Sequence, residues 1–312
     1  MVQNSKKEIL KLISKGEVVR MIDNIGTPKS IKKTMRKHNI SPKKSLGQNF
    51  LIDSNILDKI VAAGELSKAD HVVEIGPGLG SLTQKLASLV GKLTVIEKDR
   101  QLIPVLQEVL YHYANISYID GDVLKIDWND LIETDSRIKV IANLPYYITT
   151  PIIMGFFEKN VPVDLMVFMV QREVAERMVA KPGGKDYGSL SIAVQFYSKP
   201  EIVTIVPPTV FIPRPNVDSA VIKLSRLQKP AVNTLSPDLF FKVVRAAFQK
   251  RRKVLRNSLS TSGEIPLSKE KAIEALKNAA IDPQLRGERL SLEDFARLSD
   301  QIYLICQEDS FL

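Results

Sequence analysis

A mostly parallel, doubly wound α/β sheet followed by a small helical domain is the fold class that this 312-residue sequence predicts. Three observations point to it. Short apolar runs alternate with segments of helical period from residue 53 to residue 170. A glycine-rich turn follows the first of those runs. After Leu227 the character changes, and the chain becomes helix-patterned throughout.

Taken in order, residues 1–44 read as a Lys-rich extension, helical in two pieces, "KKEILKLISK" and "TPKSIKKTMRKHN", with a break around Gly26–Pro28. From Asp53, "DSNILDKIVAAGEL" is an amphipathic helix. The runs "HVVEIG" (71–76), "KLTVIEKD" (92–99), "ISYIDGD" (116–122), "IKVIANL" (138–144) and "VDLMVFMV" (163–170) are strands, apolar enough to be covered on both faces. "EIVTIVP" (201–207) and "VDSAVIKL" (217–224) add two more. The Pro-rich "PPTVFIPRP" between them is too short for a parallel crossover, which predicts an antiparallel hairpin at the sheet edge. "QKPAVNTLSP" is a linker. Helix patterns then run through "DLFFKVVRAAFQKRRKVLRNSL", "SKEKAIEALKNAA" and "SLEDFARLSDQIYLIC". The division is 1–44, 45–227 and 228–312.

Composition narrows the class. At 44% hydrophobic and 25% charged the chain is that of a soluble globular protein, and no apolar run approaches the roughly 18–20 residues of a membrane span. The N-terminus lacks the apolar core of a secretion signal, so a cytoplasmic location is expected. One cysteine, Cys306, excludes an intramolecular disulfide framework, and three scattered histidines predict no metal site. The net charge of +9 is concentrated in residues 1–44, where 12 Lys or Arg face three acids. A second basic block lies at 239–260, with seven Lys or Arg and no acid. Two such blocks suggest a polyanionic partner.

In "VVEIGPGLGSLT", Gly76, Gly78 and Gly80 join the first strand to a helix, a turn that lets backbone approach a ligand closely. The G-x-G-x-G spacing differs from the dinucleotide fingerprint of a nicotinamide dehydrogenase. Glu74, ahead of the turn, suits a cationic amine and suits a pyrophosphate poorly. Glu97 ends the next strand, where an acid accepts both ribose hydroxyls, and Asp122 ends the third, placed to accept from an adenine amino group. Together they describe a pocket for S-adenosyl-L-methionine.

The fourth strand stops at "NLPYYITTPII". An exocyclic base amine is a poor nucleophile, because its lone pair is delocalised into the ring. The Asn143 side-chain oxygen and the Leu144 carbonyl are placed to hold such an amine, and Pro145 fixes φ of the turn. Tyr146 offers a face on which an extruded base stacks, worth roughly 1–3 kcal/mol. The competing reading has Asn143 capping the next helix and Tyr146 packed in the core.

The motifs "KSLGQNFLID", "EIGPGLGSLT", "GDVL", "NLPYYITTPII", "FIPRPNVDSAV", "AAFQKRRKVLRNSL" and "ERLSLEDFARLSD" together closely resemble the bacterial small-subunit ribosomal RNA adenine dimethyltransferases, over residues 30–305. The resemblance implies a class I methyltransferase with a seven-stranded, mostly parallel sheet. Its substrate would be two adjacent adenosines in the 3′-terminal hairpin loop of 16S rRNA, dimethylated at N6 within an immature small subunit. By motif, Asn49 and Leu51 would line the cofactor pocket with Gly76, Gly78, Glu97, Asp122 and Asn143. Phe211 would be a second aromatic on the target base, opposite Tyr146. The N-terminus departs from the pattern: residues 1–25 match nothing in it.

At helical spacing Lys242, Arg245, Gln249, Arg252 and Arg256 share one face of the basic segment, beside an apolar stripe of Phe241, Val244, Phe248, Leu255 and Leu259 broken by Arg251. The four cations of that face are the candidate RNA-backbone contacts. A monomer is expected. Three other readings share parts of this pattern. They are a macrolide-resistance 23S rRNA methyltransferase, a DNA adenine methyltransferase, and an assembly checkpoint for which methylation is secondary.

Overall fold

The computed structural model describes residues 25–132, 137–250 and 252–309. The predicted helix "KKEILKLISK" and Arg251 lie outside them. All seven predicted strands form, and they join in one sheet. Label the strands β1 (Phe50–Leu51), β2 (His71–Ile75), β3 (Lys92–Glu97), β4 (Ile116–Asp120), β5 (Ile138–Asn143), β6 (Val163–Gln171), β7 (Ser198–Val206), β8 (Phe211–Ile212) and β9 (Ser219–Arg226). The sheet order is β4-β3-β2-β5-β6-β9-β7. Neighbours from β4 to β6 are parallel, and β9 runs antiparallel to both β6 and β7. The expected antiparallel pair therefore stands at the edge, with its later strand on the inside.

Helices α1 (Pro28–Lys37), α2 (Ser54–Ala63), α3 (Ser81–Leu89), α4 (Leu102–Val109), α5 (Thr149–Glu158), α6 (Arg172–Val179) and α7 (Ser189–Tyr197) accompany the sheet. Thr27 and Asp53 cap α1 and α2 through side-chain oxygens that accept from Ser30 and Ile56 amides. On one face of the sheet the core includes Val73, Val140, Phe156 and Phe168; on the other it includes Leu57, Leu86, Val95 and Ile141. The chain leaves β2 toward β3 and β4, then returns to β5 and β6 on the opposite side. That makes the β2/β5 boundary the switch point of the sheet, where the carboxyl ends open a crevice.

The C-terminal region holds α8 (Pro237–Gln249), α9 (Leu255–Ser260), α10 (Lys269–Asn278) and α11 (Leu292–Asp309). Here one expectation fails. The stretch "DLFFKVVRAAFQKRRKVLRNSL" breaks at Lys250, whose φ of −125° and ψ of 80° leave the helical region, and resumes only at Leu255. Consecutive cations at 250–253 offer no apolar side chain to bury. Leu255 and Leu259 are fully buried, and the Leu255 amide donates to the Leu285 carbonyl at 2.7 Å, so the chain turns to seat them. The inward face of α8 is Phe240, Val243, Val244 and Ala247, while Phe241 and Phe248 are only half-buried.

The helical core is not self-contained. Tyr187, Ile192 and Phe196, from the segment before and within α7, belong to it. The Leu227 and Ala231 amides donate to the Tyr197 and Phe196 carbonyls, pinning the linker. Phe196→Ala is therefore expected to cost about 3–5 kcal/mol of stability and to shift the unfolding of both parts together. Denaturant unfolding followed by far-UV dichroism and by Trp128 fluorescence (Trp128 lies in the sheet core) checks this; transitions that separate would contradict a shared core.

Candidate functional site

At the switch point the crevice encloses about 1050 Å³, counting its space open to solvent. Asn49, Leu51, Gly76, Gly78, Glu97, Asp122, Asn143, Leu144, Pro145 and Tyr146 all line it. Glu74 of β2 and Lys98, just past the end of β3, also line it. Residues from five sequence regions thus converge, four of them because parallel strands end on one side of a sheet.

The glycine turn is built by positive φ: +66° at Gly76, +60° at Gly78 and +88° at Gly80. At Gly76 a Cβ would meet nothing within 4 Å, so the backbone is bare toward the crevice. At Gly78 a Cβ would stand 3.0 Å from the Phe50 ring, which packs against the turn from β1. Glu97 braces the same turn. One carboxylate oxygen accepts from the Gly78 amide at 3.2 Å and the other from the Asp99 amide at 2.8 Å. Burial pushes its pKa up; those backbone donors partly offset the shift. Asp122 accepts from Lys98 Nζ at 2.8 Å and from the Leu124 amide at 3.1 Å, and the Lys98 contact holds its carboxyl below the usual range. Each oxygen keeps a further lone pair for a ligand.

Glu74 is the least compensated group. It is 1% exposed, and one of its oxygens has no hydrogen-bond partner among the described residues. Burial pushes its pKa up to about 8; nearby Thr83 offsets this slightly, although its hydroxyl falls outside ordinary hydrogen-bond geometry, and Glu97 adds to the rise. An orphaned carboxyl beside a bare glycine backbone fits a ligand that brings a cationic amine. S-adenosylmethionine is such a ligand.

A loop from Lys43 to Leu51 closes the crevice. Asp99, buried at the end of β3, accepts from Lys43 Nζ at 2.6 Å and from Gln48 Nε2 at 2.9 Å. The side chain of Asn49 donates to the Gly47 carbonyl at 3.1 Å. Its own carbonyl accepts from Asn143 Nδ2 at 3.0 Å. Because a carbonyl can only accept, this bond fixes the amide of Asn143 with nitrogen toward the loop and oxygen elsewhere. Asn143 therefore does not cap the following helix: α5 begins without any side-chain cap. Leu144 donates its amide to Met169 at 3.1 Å, and its carbonyl accepts no hydrogen bond from a described residue.

Tyr146 is half-buried, and its hydroxyl meets Ser219 Oγ at 2.6 Å. Burial raises the Tyr146 pKa, with Ser219 partly offsetting, so the phenol keeps its proton at neutral pH. Ser219 is a site residue the sequence reading missed; it stands at the start of β9 within "NVDSAV" and is fully buried. Tyr147, also missed, is 54% exposed in the same crevice, and its ring lies over Gly47.

Phe211 is the clear correction. It is 3% exposed, does not line the crevice, and sits in the sheet core with Leu51, its partner in the β1–β8 pair. Apolar burial has claimed the ring expected to face Tyr146. Of the candidate RNA contacts, Lys242 and Arg245 are exposed on α8, with Arg245 paired to Glu264 at 3.0 Å. Arg252 is exposed in the interhelical turn, and Arg256 is half-buried on α9 with an unpartnered Nε. The break after Gln249 divides these four among α8, the turn and α9 instead of one helical face.

Comparison with known proteins agrees with this geometry. Residues 39–303 match the family described as "Ribosomal RNA adenine dimethylase". The "Ribosomal RNA small subunit methyltransferase A" of Halothermothrix orenii is 49% identical over 290 residues, covering 91% of this chain and 96% of that protein. Among solved structures, a dimethyladenosine transferase from Plasmodium falciparum superposes with a TM-score of 0.70 at 27% identity, over 83% of this chain and 98% of that one. The 23S rRNA methyltransferase ErmE gives 0.62 at 25% identity, over 81% and 99%.

Glu74 makes a thermodynamic prediction. Its folded pKa of about 8 lies above the ordinary 4.5, so between those values the folded chain holds a proton that the unfolded chain has lost. Folding stability must then fall as pH rises across that window, by up to a few kcal/mol for this group. Glu74→Gln is expected to remove that part of the slope and to stabilise the ligand-free chain at pH 8. Urea unfolding at pH 5 and pH 8 for both proteins checks it; parallel pH profiles would contradict the assignment.

Proposed function

The chain belongs to the ribosomal RNA adenine dimethylase family, and from that premise we propose that it dimethylates N6 of two adjacent adenosines in the 3′-terminal hairpin loop of 16S rRNA, acting as a monomer on an immature small subunit in the cytoplasm. Its substrate is ribosomal RNA and its methyl donor is S-adenosylmethionine. Among the described residues no helix is long and apolar enough to cross a membrane. The small-subunit target is favoured over the 23S target by the 49% relative against the 25% one. In the same reading, residues 45–227 carry the chemistry, 228–312 meet RNA, and Lys242, Arg245, Arg252 and Arg256 contact phosphates.

The observation that carries the mechanism is the Asn143–Asn49 hydrogen bond of 3.0 Å. With its nitrogen engaged there, Asn143 offers only Oδ1 to the crevice, beside the Leu144 carbonyl. Two oxygen acceptors then hold the two hydrogens of an adenine N6 amine, drawing the nitrogen out of conjugation and exposing its lone pair. Bound in the crevice, the cofactor supplies an electrophilic methyl on a sulfonium sulfur. Glu74 meets the cationic amine of its amino-acid tail, Glu97 its ribose, and Asp122 its adenine. Tyr146, held by Ser219, stacks on the extruded base and stays neutral. No general base is needed, since a methylated adenine ammonium loses its proton to water readily. For the second transfer N6 carries one hydrogen, so one acceptor suffices. Orientation of this kind contributes about 7–11 kcal/mol to a barrier.

Asn143→Ala is expected to slow methyl transfer by about 10²- to 10³-fold, as loss of a single oriented polar group does elsewhere, while binding of S-adenosylmethionine and of RNA persists. Mass spectrometry of 16S rRNA fragments, after unmethylated small subunits are incubated with each protein and the donor, reads the transfer, and titration of each protein with donor and with subunits reads the binding. Wild type should yield dimethyladenosine in the 3′-terminal hairpin; its absence there would overturn the target assignment. A variant that binds subunits but leaves them unmethylated also separates catalysis from any assembly-checkpoint role.

A further inference from the structure

We propose that helix α1 is a second RNA-backbone surface, meeting phosphates at the opposite end of the sheet from the helical domain; this rests on the ribosomal RNA reading above. Between Ile25 and Lys44 the chain carries seven Lys or Arg and no Asp or Glu. At helical spacing Lys29, Lys32, Lys33 and Arg36 fall on one side of α1, opposite Ile31 and Met35. Ile31 is 0% exposed and packs with Leu102, Leu106 and Leu110 at α4 and its end. The Ile25 amide donates to Gln84 Oε1 of α3 at 3.1 Å. Apolar contact and capping hold the helix, so its cations are spared that task. Lys37 pairs with Glu108 at the last turn, whereas Lys29, Lys32 and Arg36 are exposed and have no ion-pair partner among the described residues.

Such a face is costly in isolation, because like charges three and four residues apart destabilise a helix. A polyanion relieves that repulsion. Placement favours RNA as the polyanion. Helix α1 packs on α4, in a cluster that includes Ile116 and Tyr118 of the edge strand β4, and the helical domain packs on α7 beside β7. Six inter-strand steps of about 4.8 Å separate those sheet edges, roughly 29 Å, with the crevice between them. The segment after α1 runs directly to Asn49, which orients Asn143. An RNA strand delivering a base to Tyr146 would thus meet cations at both ends of the sheet. An acidic membrane is a poorer fit, since the apolar side of α1 is already buried and nothing is left to insert.

The test compares full-length wild type with Lys29→Glu/Lys32→Glu/Arg36→Glu for binding to unmethylated small subunits, to a naked 16S 3′-domain RNA and to anionic vesicles across a salt series, with S-adenosylmethionine affinity measured alongside. The expected result is at least about tenfold weaker RNA binding at low salt, a salt slope smaller by about two to three, and unchanged cofactor affinity. Lys29→Arg/Lys32→Arg should bind as wild type. Should the reversed variant fail to fold, the corresponding triple Gln variant is expected to show the same slope change. Unchanged RNA affinity and slope would overturn the proposal. So would loss confined to intact subunits, which would point to a ribosomal protein, or loss confined to vesicles. Wild type that transfers no methyl group to rRNA would instead break the reading on which the proposal rests.

Discussion

One side-chain amide has two ends, and in this chain the nitrogen end of Asn143 is committed. The Asn49 carbonyl takes it at 3.0 Å. From that single bond follows which atom of Asn143 faces the crevice, and therefore whether the site can accept an amine or donate to a carbonyl. It also ties the loop from Lys43 to Leu51 to the orientation of that amide. That loop is held at one end by Asp99, which binds Lys43 and Gln48, and at the other by the two-residue pairing of β1 with β8. Parallel strands alone would leave Asn143 exposed at a sheet end with its amide free to turn.

Against this oriented pair stands a cofactor side that is electrostatically uncomfortable. Glu97 lies close enough to add to the rise in the proton affinity of Glu74 that burial causes, and both are buried. Glu97 is stabilised by two backbone amides; Glu74 has no comparable donors. A buried, poorly compensated carboxyl costs folding free energy, and a fold keeps such a group where a ligand supplies the missing partner. In the proposed reading the cationic tail of S-adenosylmethionine supplies it. The ligand-free chain is thus destabilised at the very place the ligand repairs, which couples cofactor binding to the rigidity of the turn that Glu97 braces.

Much of this was legible in the sequence because the physics is local. Apolar runs of five to nine residues announce buried strands, and three glycines after the first announce a close backbone approach. Acids at successive strand ends share one crevice once the strands are parallel. What escaped depends on distant partners. Two-residue strands such as Phe50–Leu51 and Phe211–Ile212 have no periodicity to detect, so Phe211 passed for a free aromatic when Leu51 had already covered it. Ser219 matters only because Tyr146 lies across from it, 73 residues away in sequence. The break after Gln249 was hidden for another reason: "KRRK" has good helix propensity, and only the demand of Leu255 and Leu259 for the core overrides it.

The absence of a candidate base near the amine then becomes intelligible. The titratable groups that line the crevice are engaged elsewhere or hold their protons: Asp122 with Lys98, Glu97 with the glycine turn, Tyr146 neutral against Ser219. A base strong enough to deprotonate an adenine amine would itself be protonated at neutral pH and would repel the sulfonium it had to face. Two uncharged oxygens avoid both problems. In the proposed mechanism they polarise the amine without competing for the cation, and they cost no proton. Rate must then come from alignment, which is why the structure ties every part of the clamp down: Asn143 to the loop, Leu144 to β6, and Tyr146 to β9.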